Sequence, residues 1–158
     1  MKKLILPFLA VAVVFVAGCF QTGITGDGNI ITDKRVVPAF SAINAVRGFD
    51  IHWSAGQPGV AIMTDSNLLS HIKSEVTDDT LHIYSDARIS PSSGIAVTVA
   101  SGTLTGAHLT GGIQFTAAQL SGKSLNIKST GAVDIHVDGT VDDLDASLCK
   151  AAMILSPS

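Results

Sequence analysis

The feature that most constrains the fold is a twenty-residue repeat in the second half of the chain. Residues 110–115 align with 130–135, and less closely with 150–155, so that small residues fall on small ones and apolar residues on apolar ones. A unit this short can bury its apolar side chains only against the units before and after it. The repeat therefore predicts an all-β, solenoid-like parallel β-helix with coils of about twenty residues. A β-sandwich or meander is the alternative.

Apolar residues alternate with polar ones in several short segments, which is the pattern of a strand with one buried face. The clearest segments are residues 49–53, 81–84, 95–99, 125–127 and 133–137. Stretches rich in Gly, Pro, Asp and Ser separate them and predict turns. Only residues 65–72 suggest a helix of at most two turns, with Asp65 or Ser66 as its cap.

The N-terminus has the pattern of a bacterial export signal. Lys2 and Lys3 precede an apolar run at 4–17, which is too short to span a bilayer of ~30 Å. Small residues then lead directly to Cys19, as in a lipobox. We expect residues 1–18 to be a lipoprotein signal peptide, Cys19 to carry the lipid and residues 19–29 to form a flexible tether to a domain at 30–158. An ordinary signal peptide that contains a cysteine is the alternative.

Charge and cysteine content limit the partners. Removal of Lys2 and Lys3 leaves eight Lys and Arg against thirteen Asp and Glu, a net charge of about −5 with neutral histidines. The remaining basic residues are scattered, which argues against nucleic acid as a partner. If Cys19 is acylated, Cys149 has no cysteine to pair with, and its apolar surroundings favour a buried or incidental thiol over a reactive one.

No catalytic or cofactor-binding residues are predicted. The weak candidates for a calcium site are five late aspartates, and the alternative is a solvated acidic face: Asp134, Asp138, Asp142, Asp143 and Asp145. Their spacing is not that of an EF-hand. The five histidines lack the spacing of a zinc site and are interpreted as surface residues.

Two groups of side chains are candidates for ligand contact. Phe49, Trp53 and Tyr84 have rings that can stack on a sugar, although Phe49 and Trp53 share a strand face with Ile51, which favours a place in the core. A shallow polar surface is the second candidate, formed by Thr98, Asn126, Asp134 and His136.

Several collinear motifs resemble the auto-transporter adhesin head GIN domain family. They lie at residues 26–32, 35–43, 48–51, 65–69, 79–83 and 97–99. The resemblance implies a lipid-anchored envelope protein with a right-handed β-helical domain. Compared with the family pattern, the chain looks shortened at its C-terminal end. An uncovered last coil at 153–155 predicts that another chain covers this end, by concentration-dependent self-association; a marginally stable product is the alternative.

These observations predict a noncatalytic envelope lipoprotein with an adhesin-like or scaffolding role. Its expected partners are the membrane, through the lipid anchor, and an envelope protein, a surface glycan or a second copy of the chain. Phe20 stands where aspartate signals inner-membrane retention in some bacteria, so the outer membrane is the expected location. The alternative is a carbohydrate-binding or polysaccharide-degrading protein. The degrading enzyme would require a cleft in which the late aspartates converge.

Overall fold

The computed structural model describes residues 23–156, and the predicted signal peptide and Cys19 lie outside this range. The eleven strands are β1 (Ile24–Thr25), β2 (Ile30–Arg35), β3 (Ala42–Val46), β4 (Asp50–Ala55), β5 (Gly59–Asp65), β6 (Ile72–Thr77), β7 (Thr80–Ser85), β8 (Ile89–Ser90), β9 (Ala96–Ser101), β10 (Gly106–Thr110) and β11 (Ile113–Ser156). A single 3₁₀ turn, Leu69–His71, is the helical element of this range. Within residues 23–156, no helix has the length and apolar character needed to cross a membrane.

Nine of the strands form one curled, mixed sheet in the order β2-β5-β9-β4-β11-β10-β3-β7-β6, and β1 pairs with β8 in a small parallel sheet. The expected all-β class is therefore confirmed. The edges of the large sheet are not parallel, however, because β5 pairs antiparallel with β2 and β9, and β6 pairs antiparallel with β7. A two-residue turn joins β6 to β7, with Asp78 and Asp79 at φ values of 49° and 60°. Two positive φ values in succession are what a tight hairpin turn requires.

The twenty-residue repeat appears directly in the pairing of the strands. Strand β10 lies parallel to β11 with Gly106 opposite Asn126 and Thr110 opposite Thr130, an offset of twenty residues at every pair. On its other side β10 pairs parallel with β3, which pairs parallel with β7. A second parallel ladder joins β9, β4 and residues 114–118 of β11. The long strand β11 therefore takes part in both ladders.

Apolar side chains stack in columns on the buried side of each ladder. In one ladder Ile51 lies between Val97 and Phe115, and all three are at most 1% exposed. In the other ladder the small side chain of Ala107 lies between Ile43 and Ile127. The first column is thus built of large residues only, whereas the second has a small residue between two large ones.

The aromatic residues on β4 and before it belong to this core. Phe49 and Trp53 are each 3% exposed, so their rings pack inside the sheet and are not a surface for stacking a sugar. The indole nitrogen Nε1 of Trp53 donates a hydrogen bond of 2.9 Å to Oγ of Ser101, which satisfies the polar atom of the ring. Tyr84 is partly buried.

The parallel strands turn at a stacked corner made by Arg47, Gly111 and Gly131. Their φ values are 87°, 113° and 109°, in the left-handed region that favours glycine. The amide of Arg47 donates to the carbonyl of Thr110 at 2.7 Å, and the amide of Gly111 donates to the carbonyl of Thr130 at 2.9 Å. A Cβ atom at position 131 would lie 2.9 Å from the carbonyl oxygen of Gly111. Positions 111 and 131 therefore need glycine both for their conformation and for their close stacking.

We expect Gly131→Ala to lower the free energy of unfolding by roughly 1–3 kcal/mol, the usual cost of a strained backbone conformation. Urea denaturation followed by the fluorescence of Trp53, the chain's one tryptophan, measures the effect. The matched control is Gly112→Ala, since no atom lies within 4 Å of the Cβ position there. Equal stability of the two variants would contradict this account of the corner.

Ser129 is the polar exception in a buried column. It lies opposite Leu109 on β10 and is 3% exposed. Within residues 23–156, its hydroxyl oxygen is the one buried side-chain polar atom that has no hydrogen-bond partner. An unpaired buried hydroxyl costs about 1–3 kcal/mol.

Removal of this hydroxyl in Ser129→Ala is expected to raise the free energy of unfolding by about 1 kcal/mol, because no partner loses a bond. Urea denaturation checks the sign of the change. Ser121→Ala, on an exposed part of β11, is the control and should change stability by less than about 0.5 kcal/mol. A lower stability for Ser129→Ala would show that the hydroxyl has a stabilising contact.

Candidate functional site

The five candidate calcium ligands are not brought together. Asp145 accepts a hydrogen bond of 3.0 Å from Nδ2 of Asn126, and Asp134 lies in a shallow groove of about 310 Å³ beside His136. The other three are spaced along β11, with Asp142 and Asp143 exposed. In residues 23–156, no group of three or more His, Cys, Asp or Glu side chains is arranged to hold a metal ion.

The expected polar surface is divided between the two ladders. Thr98 lies opposite His52, which lies opposite Thr116, and Thr116 shares the groove with Asp134 and His136. Asn126 belongs to the other ladder, where a groove of about 290 Å³ runs over a row of polar side chains: Asn44, His82, His108 and Lys128. The four predicted residues therefore do not form one surface. Cys149, expected to be buried or incidental, is exposed.

A larger cleft of about 760 Å³ lies between the corner at Arg47 and the segment that contains β8. One wall consists of Arg47, Gly48 and Phe49, and the other of residues 86–89 with Pro91 and Ile95. The two walls are separated by about forty residues of sequence and meet because residues 50–55 and 96–101 pair in the same ladder. Its volume lies within the range of small-ligand sites, about 300–1,000 Å³. We call it the corner cleft.

The charged groups of the corner cleft leave it with unpaired positive charge. Asp86 contacts Nδ1 of His71 at 3.0 Å and Nζ of Lys73 at 3.1 Å. Both contacts hold the pKa of the Asp86 carboxyl below its ordinary range, and the contact with His71 has the larger effect. Arg47 and Arg88 form no ion pair or side-chain hydrogen bond with any residue of the described range.

The third arginine of the chain, Arg35, differs from these two because its side chain is fully engaged within the fold. Arg35 binds Oδ2 of Asp33 at 2.8 Å and the carbonyl of Ile72 at 2.7 Å, and therefore has a structural role. Sequence analysis missed Arg47 and Arg88 as site residues, because isolated arginines far apart in the chain carry no local motif.

The wall that contains β8 is fixed by the buried carboxylate of Asp65. Its oxygens accept hydrogen bonds from the amide of Ser92 at 2.9 Å, the hydroxyl of Ser92 at 2.7 Å and the amide of Gly28 at 2.7 Å. The hydroxyl of Ser92 is the main cause that lowers the pKa of Asp65, followed by the two amides. A side chain at Gly26 would overlap this carboxylate. Asp65 thus ties the segment before β2 to the segment beside the cleft.

This network corrects two expectations. Residues 23–29 are not a free tether: β1 pairs with β8, the hydroxyl of Ser66 donates to Asp27 at 2.6 Å, and Nδ2 of Asn67 donates to the carbonyl of Thr25 at 2.8 Å. Residues 19–22 of the expected tether lie outside the described range. The expected helix at 65–72 is reduced to the 3₁₀ turn, and no side chain caps it. Asp65 uses its carboxylate for tertiary contacts instead.

Comparison with known proteins identifies the family of this chain. The family model "Putative auto-transporter adhesin, head GIN domain" matches residues 39–156, and the chain belongs to this family. No curated protein matches it.

Among solved structures, a putative adhesin from Parabacteroides merdae superposes with a TM-score of 0.73 at 23% identity over 84% of this chain. The chain spans 58% of the length of that protein. A putative adhesin from Bacteroides fragilis has a TM-score of 0.59 at 20% identity. This match covers 85% of the present chain and 82% of the Bacteroides fragilis protein. Both likenesses show the fold.

We expect Asp65→Asn to lower the melting temperature by several degrees at neutral pH. The amide group places a donor against the donors of Gly28 and Ser92, where the carboxylate accepted from both. Differential scanning calorimetry measures the change. The matched control is Asp78→Asn, at an exposed turn residue.

The same variant tests the pH dependence. Folding lowers the pKa of Asp65. Its contribution to stability is therefore complete above the unfolded value of about 3.9 and is lost as the pH falls through the lower folded value. Below pH ~4 the difference between wild type and Asp65→Asn should shrink. A difference that stays constant down to pH ~2 would contradict the assignment.

Proposed function

We propose that this protein is a noncatalytic, adhesin-like interaction module of the bacterial envelope, held at the membrane by a lipid on Cys19. The observation that carries the proposal is the family match over residues 39–156. The surface fits a binding role, since polar side chains line the outer sides of both ladders in shallow grooves. An envelope protein, a surface glycan or a second copy of the chain is the proposed partner. Exposed Ile154 and Leu155, at 60% and 54%, support the last of these.

We further propose that the curled sheet is the body of a right-handed parallel β-helix. Two observations support this architecture: the constant offset of twenty residues between β10 and β11, and the stacking of Arg47, Gly111 and Gly131 at one corner. In a β-helix each coil repeats its corner above the previous one, so the same backbone conformation recurs. A sandwich or meander has no such constant offset.

The proposed location is the outer membrane. Its support is the sequence at the N-terminus, where an apolar run and two small residues lead to Cys19, followed by Phe20. A lipid anchor with more than one hydrocarbon chain is sufficient for stable attachment.

Expression of the full chain in a two-membrane bacterium fed alkyne-palmitate tests the anchor. We expect labelled protein in the outer-membrane fraction. Cys19→Ser should abolish the label and release the protein from the membrane, whereas Cys149→Ser is the matched control and should retain both. Labelling that persists in Cys19→Ser would contradict the anchor.

The same cells test the binding role. Cells that carry the wild-type chain should adhere to an array of immobilised glycans and envelope proteins more strongly than cells that carry Cys19→Ser. Equal adherence of the two strains to every surface would contradict the adhesin-like function. Release of sugar fragments from an arrayed polysaccharide by the wild-type chain would favour the degrading alternative instead.

A further inference from the structure

We propose that the corner cleft binds an acidic sugar, with Arg47 and Arg88 as the residues that recognise its carboxylate. This inference rests on the proposed adhesin-like function and names the ligand class of one site. The carboxylate would be held by charge-assisted hydrogen bonds from the guanidinium groups, which match its planar, two-oxygen geometry.

The first argument is the distribution of charge. Only three arginines occur in the chain, and two of them line the same cleft of about 760 Å³. Arg35 is engaged by Asp33, whereas Arg47 and Arg88 have no acidic partner in residues 23–156. The acidic residue of the cleft, Asp86, is already matched by Lys73 at 3.1 Å. An anion therefore complements this cleft, although the protein as a whole is acidic.

The second argument is the backbone conformation of Arg47. At the equivalent corner position, the stacked residues are Gly111 and Gly131, which adopt positive φ at little cost. Arg47 has a φ of 87° and pays the strain that glycine avoids. The fold alone would be served by glycine here. What the arginine adds is a cationic residue in the lining of the cleft.

The third argument is the shape and lining of the cleft. Its volume exceeds what a bare inorganic anion needs and suits a ligand of sugar size. Ile89 and Pro91, both partly exposed, line the side opposite Arg47, and such apolar groups can shield the apolar C–H face of a sugar ring from water. A ligand with one negative group and one apolar face therefore matches both parts of the lining.

Isothermal titration calorimetry of the full-length protein tests the ligand class. The probes are methyl β-D-glucuronide, the uncharged methyl β-D-glucoside and sodium sulfate. We expect the glucuronide to bind at least tenfold more tightly than the glucoside and sulfate, and its affinity to fall as salt is raised from 50 to 500 mM. Equal affinity for glucuronide and glucoside, or no binding, would overturn the proposal. Equal affinity for glucuronide and sulfate would also overturn it, because the site would then be a simple anion site.

Variants of the two arginines locate the binding. Arg47→Gly and Arg88→Gln should each weaken glucuronide binding at least tenfold. The melting temperature of Arg47→Gly should equal or exceed that of the wild type, since glycine relieves the positive φ, so weaker binding cannot be attributed to unfolding. Lys34→Gln removes a positive charge from exposed β2, outside the cleft, and should change the affinity less than twofold. Wild-type affinity in both arginine variants would overturn the site assignment.

The outcome is separable from that of the adhesion experiment. If cells with the full chain adhere to the array but the purified protein does not distinguish glucuronide from glucoside, the acidic-sugar site fails and the adhesin-like function stands. If the glucuronide binds through Arg47 and Arg88 but the cells do not adhere, the adhesin-like function fails and the site stands.

Discussion

The structure depends on the register of its parallel strands. Each strand presents apolar side chains at alternate positions, so a shift of one residue in one strand would move all its buried side chains, such as Ile51 and Trp53 of β4, from the core to water. Burial of these side chains holds together strands that are as far apart in sequence as β3 and β10. The small residues Ala45 and Ala107 are buried between them and leave room for the large side chains of the neighbouring strands.

Fixed register has a direct consequence for the surface. Because the buried side chains stack in columns, the polar side chains between them must also stack, which produces the rows that contain His52 and Thr116 on one ladder and Asn44 and His108 on the other. Rows of this kind are broad and shallow. Along β11 they place the late aspartates in succession instead of gathering them.

The corner cleft arises at the point where this regularity is interrupted. Arg47 takes a corner position at which the two residues stacked on it, Gly111 and Gly131, are glycines. The opposite wall is supplied by a segment that Asp65 ties to Ser92 and Gly28. Buried hydrogen bonds to a carboxylate are strong when fully paired. The hydrogen bonds of Asp65 therefore stabilise this loop wall, whereas the regular sheet is stabilised by the burial of apolar side chains.

The sequence by itself determined the all-β class, the buried face of most strands and the offset of twenty residues. Alternation and repetition are local patterns, and they decide directly which side chains are buried. Residues 49–53 and 110–135 are the clearest cases. Only the tertiary structure decided the antiparallel edges, the tied segment at 23–29 and the single turn at 69–71, where Asp65 bonds across the fold instead of capping its own helix. It also decided that Arg47 and Arg88 line one cleft. Such contacts depend on which strands pair across long separations, and that choice is set by the packing of the whole core, which no short stretch of sequence encodes.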